Sequence, residues 1–223
     1  MKKVFAVLMS VLMVAALFAG CGEAKPSGEA NNTIKIGTTG PLTGEAAIYG
    51  TAVEAGMKIA VEEINAKAGE NGLKIEFKAV DDEHNGDKAV TGYDSLMDWG
   101  MQFFAGTVTT DPALAVAPYA AQDNVLMLTP SASSVDVPKA GDNVFQMCFT
   151  DPNQGVASAE YIKEQNLGTK IAVIYNNGDA YSTGIYQKFD AEAKKLGLEI
   201  VSVTTFPDDT NSDFSAQLND AKD

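Results

Sequence analysis

Short runs rich in β-branched residues alternate with amphipathic helical stretches from Thr33 onward. The pattern predicts strands at 33–40, 73–80, 101–108, 125–130, 143–150, 170–176 and 198–206, and helices at 52–69, 87–100, 112–123, 153–166, 181–196 and from 211 to the last residue. Strands that alternate with helices of this length predict right-handed βαβ units and a mostly parallel sheet. Ligands of such sheets bind beyond the carboxyl ends of the strands.

One segment interrupts this alternation and divides the chain. In "MCFTDPNQG" (147–155) a strand runs through an Asp-Pro joint into a helix that starts a second series of βαβ units. We interpret it as a crossover between two α/β domains, 33–150 and 151–223. The final stretch "DFSAQLNDAKD" has a helical pattern without a cap or a following strand, so the second domain is expected to be incomplete. The predicted fold class is α/β, with two lobes built on doubly wound parallel sheets.

The N-terminus has the pattern of an export signal. Lys2 and Lys3 precede an apolar run that ends at Cys21 and gives way to "GEAKPSGEANN". The run is shorter than the roughly 20 residues of a membrane-spanning helix, which favours a cleaved signal peptide (1–20) over an uncleaved anchor. "LFAGC" resembles the lipobox of bacterial lipoproteins, so Cys21 is expected to carry lipid and residues 21–32 to form a flexible tether. The predicted location is the extracytoplasmic face of the cell membrane.

Charge and cysteine content exclude two classes of protein. The net charge is −14, and the basic residues are all Lys. An acidic chain without Arg is a poor partner for nucleic acid. The second cysteine, Cys148, has no partner in the exported chain once Cys21 is lipidated, which argues against a disulfide framework and predicts a small buried hydrophobe.

Catalytic and metal-binding signatures are weak, and neither a cofactor nor a metal is predicted. The chain contains no P-loop and no G-x-S-x-G elbow, and its single histidine is His84. His84 lies in "DDEHNGD" (81–87), which looks like the start of a calcium loop, but the twelfth position holds Gly92 where the loop needs Glu. A capped turn leading into the next helix is the favoured interpretation. A secreted enzyme therefore remains only a remote alternative.

Small hydroxyl residues and a tyrosine follow several of the predicted strands. Thr109 and Thr110 follow "FFAGTV", and Ser131, Ala132 and Ser133 follow "LMLTP". Hydroxyls beside exposed backbone N–H and C=O groups bind carboxylates and ammonium groups, although Ser and Thr also cap helices. Tyr49, after the first strand, can wall off an apolar side chain. Their occurrence at neighbouring strand ends favours a binding site over a set of turns.

The successive landmarks of the chain resemble the type I solute-binding proteins, and in particular the leucine/isoleucine/valine-binding proteins of branched-chain amino acid ABC transporters. The resemblance rests on "IKIGTTGPLTGEAAIYG", "AVEEINAKAG", "VDDE", "GTVTTDPALAVAPYAAQDNVLMLTPSASS", "FTDPNQG" and "IAVIYNNGDAYSTG", which come in order from Thr33 to the end. It implies the type I periplasmic-binding-protein fold, with no catalytic step.

The resemblance also implies roles for individual residues. Thr110 is expected to help bind a ligand α-carboxylate. Ser131, Ala132 and Ser133 are expected to supply backbone groups and a hydroxyl to the α-carboxylate and α-ammonium. Tyr49 and Tyr181 are expected to close over the ligand from opposite lobes, although this chain has Ser182 where the family often has Gly.

The function expected from these residues is that of an extracytoplasmic receptor of an ABC importer. It would bind a small amino acid between its lobes and deliver it to the permease. The same fold also serves receptors for amides, urea or aromatic acids, and sensory domains without a transporter, because fold does not determine ligand. These alternatives remain open at the level of sequence.

Overall fold

The computed structural model describes residues 32–69, 72–207 and 213–222. The predicted signal peptide, Cys21 and the tether up to residue 31 lie outside the described residues. The described residues from Thr33 onward form one compact unit. Within the described part of the chain, no helix is both long enough and apolar enough to cross a membrane.

Strands and helices alternate along the described chain, as the sequence predicts. The elements are β1 (Thr33–Gly40), α1 (Ala47–Ala68), β2 (Lys74–Asp81), α2 (Gly86–Asp98), β3 (Phe103–Phe104), α3 (Thr110–Gln122), β4 (Leu126–Thr129), a 3-10 turn (Val137–Ala140), β5 (Val144–Gln146), α4 (Asp151–Glu164), β6 (Lys170–Asn176), α5 (Ala180–Lys195), β7 (Glu199–Phe206) and α6 (Ser215–Asp220). The first five strands form a sheet in the order β2-β1-β3-β4-β5, and β6 pairs with β7 in a second sheet. All of these pairs are parallel. The predicted α/β class with parallel sheets is confirmed.

Several elements differ from their predicted bounds, and α6 contains only Ser215–Asp220 of the helix predicted from 211 onward. The strand predicted at 101–108 contains only Phe103 and Phe104. Beyond the strand, the Thr107 carbonyl accepts from the Thr129 hydroxyl. The strand predicted at 143–150 contains only Val144–Gln146. Helix α1 begins at Ala47 and not at 52. Its first turn was not predicted because Ile48 and Tyr49 are exposed there and do not continue the buried stripe of the helix.

Helices α2 and α3 cover one face of the five-stranded sheet. Tyr93 of α2 and Phe104 of β3 pack edge to face with ring centroids 5.3 Å apart, and both are buried. The space beneath α2 is tight, since a Cβ added to Gly37 would lie 2.3 Å from the Met101 sulfur. This packing places the main hydrophobic core between the sheet and α2 and α3.

Helix α1 covers part of the opposite face. Gly40 has the opposite parity to Gly37 on β1, and a Cβ added there would lie 2.6 Å from Cγ2 of Val108 and 3.8 Å from the Cα of Gly50 in α1. Beyond α1 the same sheet carries large apolar side chains that remain exposed: Phe103, Leu126 and Phe145. At β1 and β2 the first sheet therefore has helices on both faces, as in a doubly wound sheet.

Helices α4 and α5 pack together over the second sheet. Ala159, Phe189, Ala193 and Leu198 are buried between these helices and the strands. Gly155 allows the close approach, since a Cβ there would lie 2.4 Å from the carbonyl oxygen of Ile185. The second sheet thus has its own small core.

Candidate ligand-binding site

The loop after β1 is held against the end of β2 by the carboxylate of Asp81. Its oxygens accept from the backbone N–H of Leu42 at 2.8 Å and from the Thr43 hydroxyl at 2.6 Å. Burial pushes the pKa of Asp81 up, but the hydrogen bonds from Thr43, Leu42 and Glu83 outweigh burial and leave the pKa below its usual value. This ionised carboxylate therefore fixes the loop that leads to Tyr49.

The loop after β2 is organised by Asp82 and contacts the start of α3. Asp82 is fully buried and accepts from the backbone N–H of His84 at 2.9 Å. Burial raises the pKa of Asp82 to about 6. The His84 ring nitrogen Nδ1 lies 2.9 Å from the Thr109 hydroxyl oxygen. The Asn85 side chain caps α2 through the N–H of Lys88, which confirms the predicted capped turn.

The loops after β3 and β4 are joined by their own hydroxyl groups. The Thr129 hydroxyl donates to the Thr107 carbonyl at 2.6 Å and accepts from the N–H of Ala132 at 3.0 Å. The Ser131 hydroxyl donates to the Val108 carbonyl at 2.5 Å. These bonds hold the predicted Ser131–Ser133 segment beside the loop that leads into Thr109 and Thr110.

Thr109 and Thr110 form the N-terminus of α3. Thr109 is the N-cap residue, with extended backbone angles, and Thr110 is buried. The hydroxyl of Thr110 makes no hydrogen bond to another residue in the ranges that the structure describes. The first N–H groups of a helix attract anions, and a hydroxyl beside them adds a further donor. This end of α3 is suited to a carboxylate.

Ser133 is bonded to the start of α4. Its hydroxyl lies 2.5 Å from an Asp151 carboxylate oxygen, and the N–H of Asp151 donates to the Ser133 carbonyl at 3.0 Å. Burial raises the pKa of Asp151, the hydrogen bond from Ser133 lowers it, and the nearby Asp179 raises it, with a net upward shift. The predicted residue Ser133 is thus bonded to the first residue of α4, across the predicted domain boundary.

Ala132 presents its backbone to neighbouring side chains. Its carbonyl accepts from Gln146 Nε2 at 2.5 Å and from the thiol of Cys148 at 3.4 Å. Cys148 is free and half-buried, so the expectation of full burial was wrong. The thiol lies where the chain leaves β5 for α4, at the rim of the first sheet and outside its core. Burial raises the pKa of this thiol.

The two predicted tyrosines lie apart from the hydroxyl residues. Tyr49 is in the first turn of α1 with 62% of its surface exposed. Tyr181 is in the first turn of α5, where the Asp179 side chain caps the helix, and its hydroxyl lies 3.2 Å from Gln154 Nε2. Across the described ranges, neither tyrosine hydrogen-bonds to the five hydroxyl-loop residues Thr109, Thr110, Ser131, Ala132 and Ser133. The structure therefore brings together those five and leaves the tyrosines facing solvent.

A second contact links the two halves of the site. The carboxylate of Asp111, in the first turn of α3, lies 3.4 Å from the N–H of Ala180 at the start of α5. Within residues 32–69, 72–207 and 213–222 there is no cluster of three His, Cys, Asp or Glu residues arranged to hold a metal ion. Hydrogen bonds join the helix starts and strand ends of the site.

Known proteins match this chain along nearly all of its described length. A family model for periplasmic binding proteins matches residues 33–223. The chain belongs to the periplasmic binding protein family. It is 35% identical over 191 residues to Leu/Ile/Val-binding protein homolog 3 of Brucella melitensis, which covers 85% of this chain and 51% of that protein.

Solved structures place this periplasmic binding protein beside receptors for branched-chain amino acids. LivJ of Streptococcus pneumoniae, solved in complex with isoleucine, is 31% identical with a TM-score of 0.79, over 85% of this chain and 54% of that one. The leucine-binding protein LivK of Thermotoga maritima is 29% identical with a TM-score of 0.77, over 85% of this chain and 53% of that one. The chain spans about half the length of the relatives that it matches.

Three acidic residues and a histidine of the site were not predicted as site residues. Asp81 and Asp82 position the loops, His84 contacts Thr109, and Asp151 contacts Ser133. The paired aspartates after a strand could have been recognised in the sequence, because carboxylates at that place accept hydrogen bonds from the N–H groups of the loop. The pairing of Asp151 with Ser133 has no such signal, since it depends on where the chain returns after β5.

Proposed function

We propose that this periplasmic binding protein binds a small amino acid, branched-chain or similar, at the carboxyl edge of the five-stranded sheet. The observation that carries the proposal is the joining of two loops by the Thr129 hydroxyl, which sets Ser131–Ser133 beside the N-terminus of α3. A helix N-terminus with the Thr110 hydroxyl suits a ligand carboxylate. Hydroxyl and carboxylate oxygens nearby suit an ammonium. An amino acid carries both groups on one carbon.

The proposed mechanism is closure of two lobes on the ligand, followed by delivery to the permease of an ABC importer without a reaction. Tyr49 lies before the crossover and Tyr181 after it, so a ligand that contacts both favours the closed form. We place the lobe boundary between residues 150 and 151. Support comes from the relatives, whose names describe Leu/Ile/Val-binding proteins.

Calorimetry on the complete gene product tests the proposal. Leucine, isoleucine and valine are titrated beside acetamide, urea and 4-hydroxybenzoate, and at least one of the amino acids is expected to bind most tightly. Ser133→Ala should weaken that binding by about 1–3 kcal/mol through loss of a hydroxyl. Ser158→Ala is the matched control, because its exposed hydroxyl donates only to the Gln154 carbonyl within α4. Preferential binding of an amide or aromatic acid would contradict the amino-acid assignment.

The proposed location is the extracytoplasmic face of the cell membrane, with Cys21 lipidated. Support comes from the lipobox-like sequence and from the family, whose members work outside the cytoplasm. Replacing Cys21 with Ser in the expressed gene should release the protein from the membrane fraction. Retention of the variant in that fraction would show that another segment anchors it.

A further inference from the structure

The imidazole of His84 joins the loop after β2 to the residue at which α3 begins. Its Nδ1 lies 2.9 Å from the hydroxyl oxygen of Thr109. The bond forms with either tautomer of the imidazole, because a hydroxyl both donates and accepts. The two residues are 25 positions apart in the chain, so the contact ties together two loops that follow different strands.

Thr109 uses its hydroxyl for this contact and not for its own helix. A threonine at the N-cap position commonly accepts a hydrogen bond from an N–H group of the helix that it begins. Thr109 has the extended backbone of an N-cap residue but forms no such bond with its side chain. Its carbonyl still accepts from the N–H of Ala113 at 3.1 Å, as the first bond of the helix. The hydroxyl therefore connects the start of α3 to the neighbouring loop.

The backbone on the His84 side of the contact has an unusual conformation that other bonds maintain. Glu83 and His84 have φ angles of 49° and 60°, so two consecutive residues with side chains lie in the left-handed region. The N–H of His84 donates to Asp82 at 2.9 Å, and the N–H of Glu83 donates to Asp81 at 3.0 Å. Such angles persist only where the surrounding structure imposes them. The loop therefore presents the imidazole in one defined position.

The residue beside Thr109 is the one that the proposed site uses. Thr110 is 3% exposed, and its hydroxyl has no hydrogen-bond partner among the described residues. It lies in the first turn of α3, where the helix N-terminus attracts anions. Groups that are fixed before binding contribute more to affinity than groups that the ligand must order. The bond between His84 and Thr109 fixes the position of Thr110 and of the helix start.

We propose that His84 is a positioning residue for the ligand carboxylate, because it holds Thr109 and so fixes Thr110 and the N-terminus of α3 before the ligand binds. The inference rests on the proposed function and refines it, since it adds a residue that acts on one end of the ligand only. His84 acts through Thr109 and not by touching the ligand.

The test compares leucine with leucinamide, which keeps the side chain and the ammonium but has a neutral amide in place of the carboxylate. Dissociation constants are measured by calorimetry on the complete gene product, with leucinamide as a competitor of leucine. His84→Gly removes the imidazole and tolerates the left-handed backbone. The affinity for leucine should fall about 3- to 10-fold, as for the loss of one hydrogen bond. The affinity for leucinamide should change by less than about 2-fold, because a neutral group gains less from a helix N-terminus.

Two further variants separate positioning from a general effect on the loop. His84→Asn also tolerates the left-handed backbone and places a polar amide atom close to the position of Nδ1. It should restore the affinity for leucine to within about 2-fold of wild type. Glu83→Gly is the matched control, because it removes an exposed side chain from the same loop, and its ion pair with Lys88 is at the surface. Both affinities should be unchanged in this control.

The outcomes distinguish the inference from the proposed function. An unchanged affinity for leucine in His84→Gly, equal losses for both ligands, or no recovery in His84→Asn would overturn the role of His84 alone. If leucinamide does not compete even with wild type, the comparison of His84→Gly with His84→Asn decides. If His84→Gly does not fold, Thr109→Val removes the same bond from the other side and should weaken leucine selectively. A wild-type protein that binds no amino acid would overturn the proposed function and the inference together.

Discussion

Thr129 is the junction between the two loops that carry the candidate site. Its side chain is fully buried, and its hydroxyl both donates to the Thr107 carbonyl and accepts from the N–H of Ala132. Thr129→Val keeps the shape of the side chain and removes both bonds. Each bond contributes about 1 kcal/mol, and a buried group left without a partner costs about 1–3 kcal/mol. We therefore expect the free energy of unfolding to fall by about 2–4 kcal/mol.

Urea unfolding followed by circular dichroism measures this change. The midpoint should fall while the slope stays constant, because the substitution leaves the surface exposed on unfolding unchanged. Thr91→Val is the matched control, since the Thr91 hydroxyl is on the exposed side of α2 and donates only to the Asp87 carbonyl one turn earlier. The control should lie within about 0.5 kcal/mol of wild type. A Thr129→Val protein equally close to wild type would refute the argument that these two bonds hold the loops together.

Two other substitutions test the packing and the electrostatics of the fold. Burial raises the pKa of Asp82 to about 6 from 3.8, so the stability it contributes is complete below about pH 4 and is lost as the pH rises through 6. Wild type should lose stability between pH 4 and pH 7, as measured by urea unfolding. Asp82→Asn stays neutral, so its loss of stability over the same range should be smaller by about 2–3 kcal/mol. Gly155→Ala should destabilise the protein by about 1–3 kcal/mol in the same assay, because the new Cβ would lie 2.4 Å from the Ile185 carbonyl oxygen. Gly56→Ala is its control, since a Cβ there meets nothing within 4 Å and the helix gains propensity.

Two results would contradict these expectations. An Asp82→Asn protein with the pH profile of wild type would show that Asp82 is ionised as readily in the folded chain as in the unfolded one. A Gly155→Ala protein as stable as its Gly56→Ala control would show that α4 and α5 separate at little cost.

Local pattern alone determined the class of the fold and the position of the candidate site. The alternation of strands and helices requires a parallel sheet, and the carboxyl ends of parallel strands share one edge. Thr109, Thr110 and the Ser131–Ser133 segment each follow a strand, so they were expected at that edge before any contact was known. The turn at 81–87 was likewise predictable, because Asn85 precedes a helix and satisfies its first N–H groups.

The tertiary structure decided which partner each polar group has. The Thr129 hydroxyl joins the end of β4 to the loop after β3, because it reaches the carbonyl of Thr107, a residue 22 positions away. The Ser133 hydroxyl donates to Asp151, a residue 18 positions away. The periodicity of the sequence indicates which side of an element faces the core. The sequence around a hydroxyl residue is the same, however, whether the hydroxyl donates or accepts a hydrogen bond. Its direction depends on the group brought within hydrogen-bond distance by the packing of other elements.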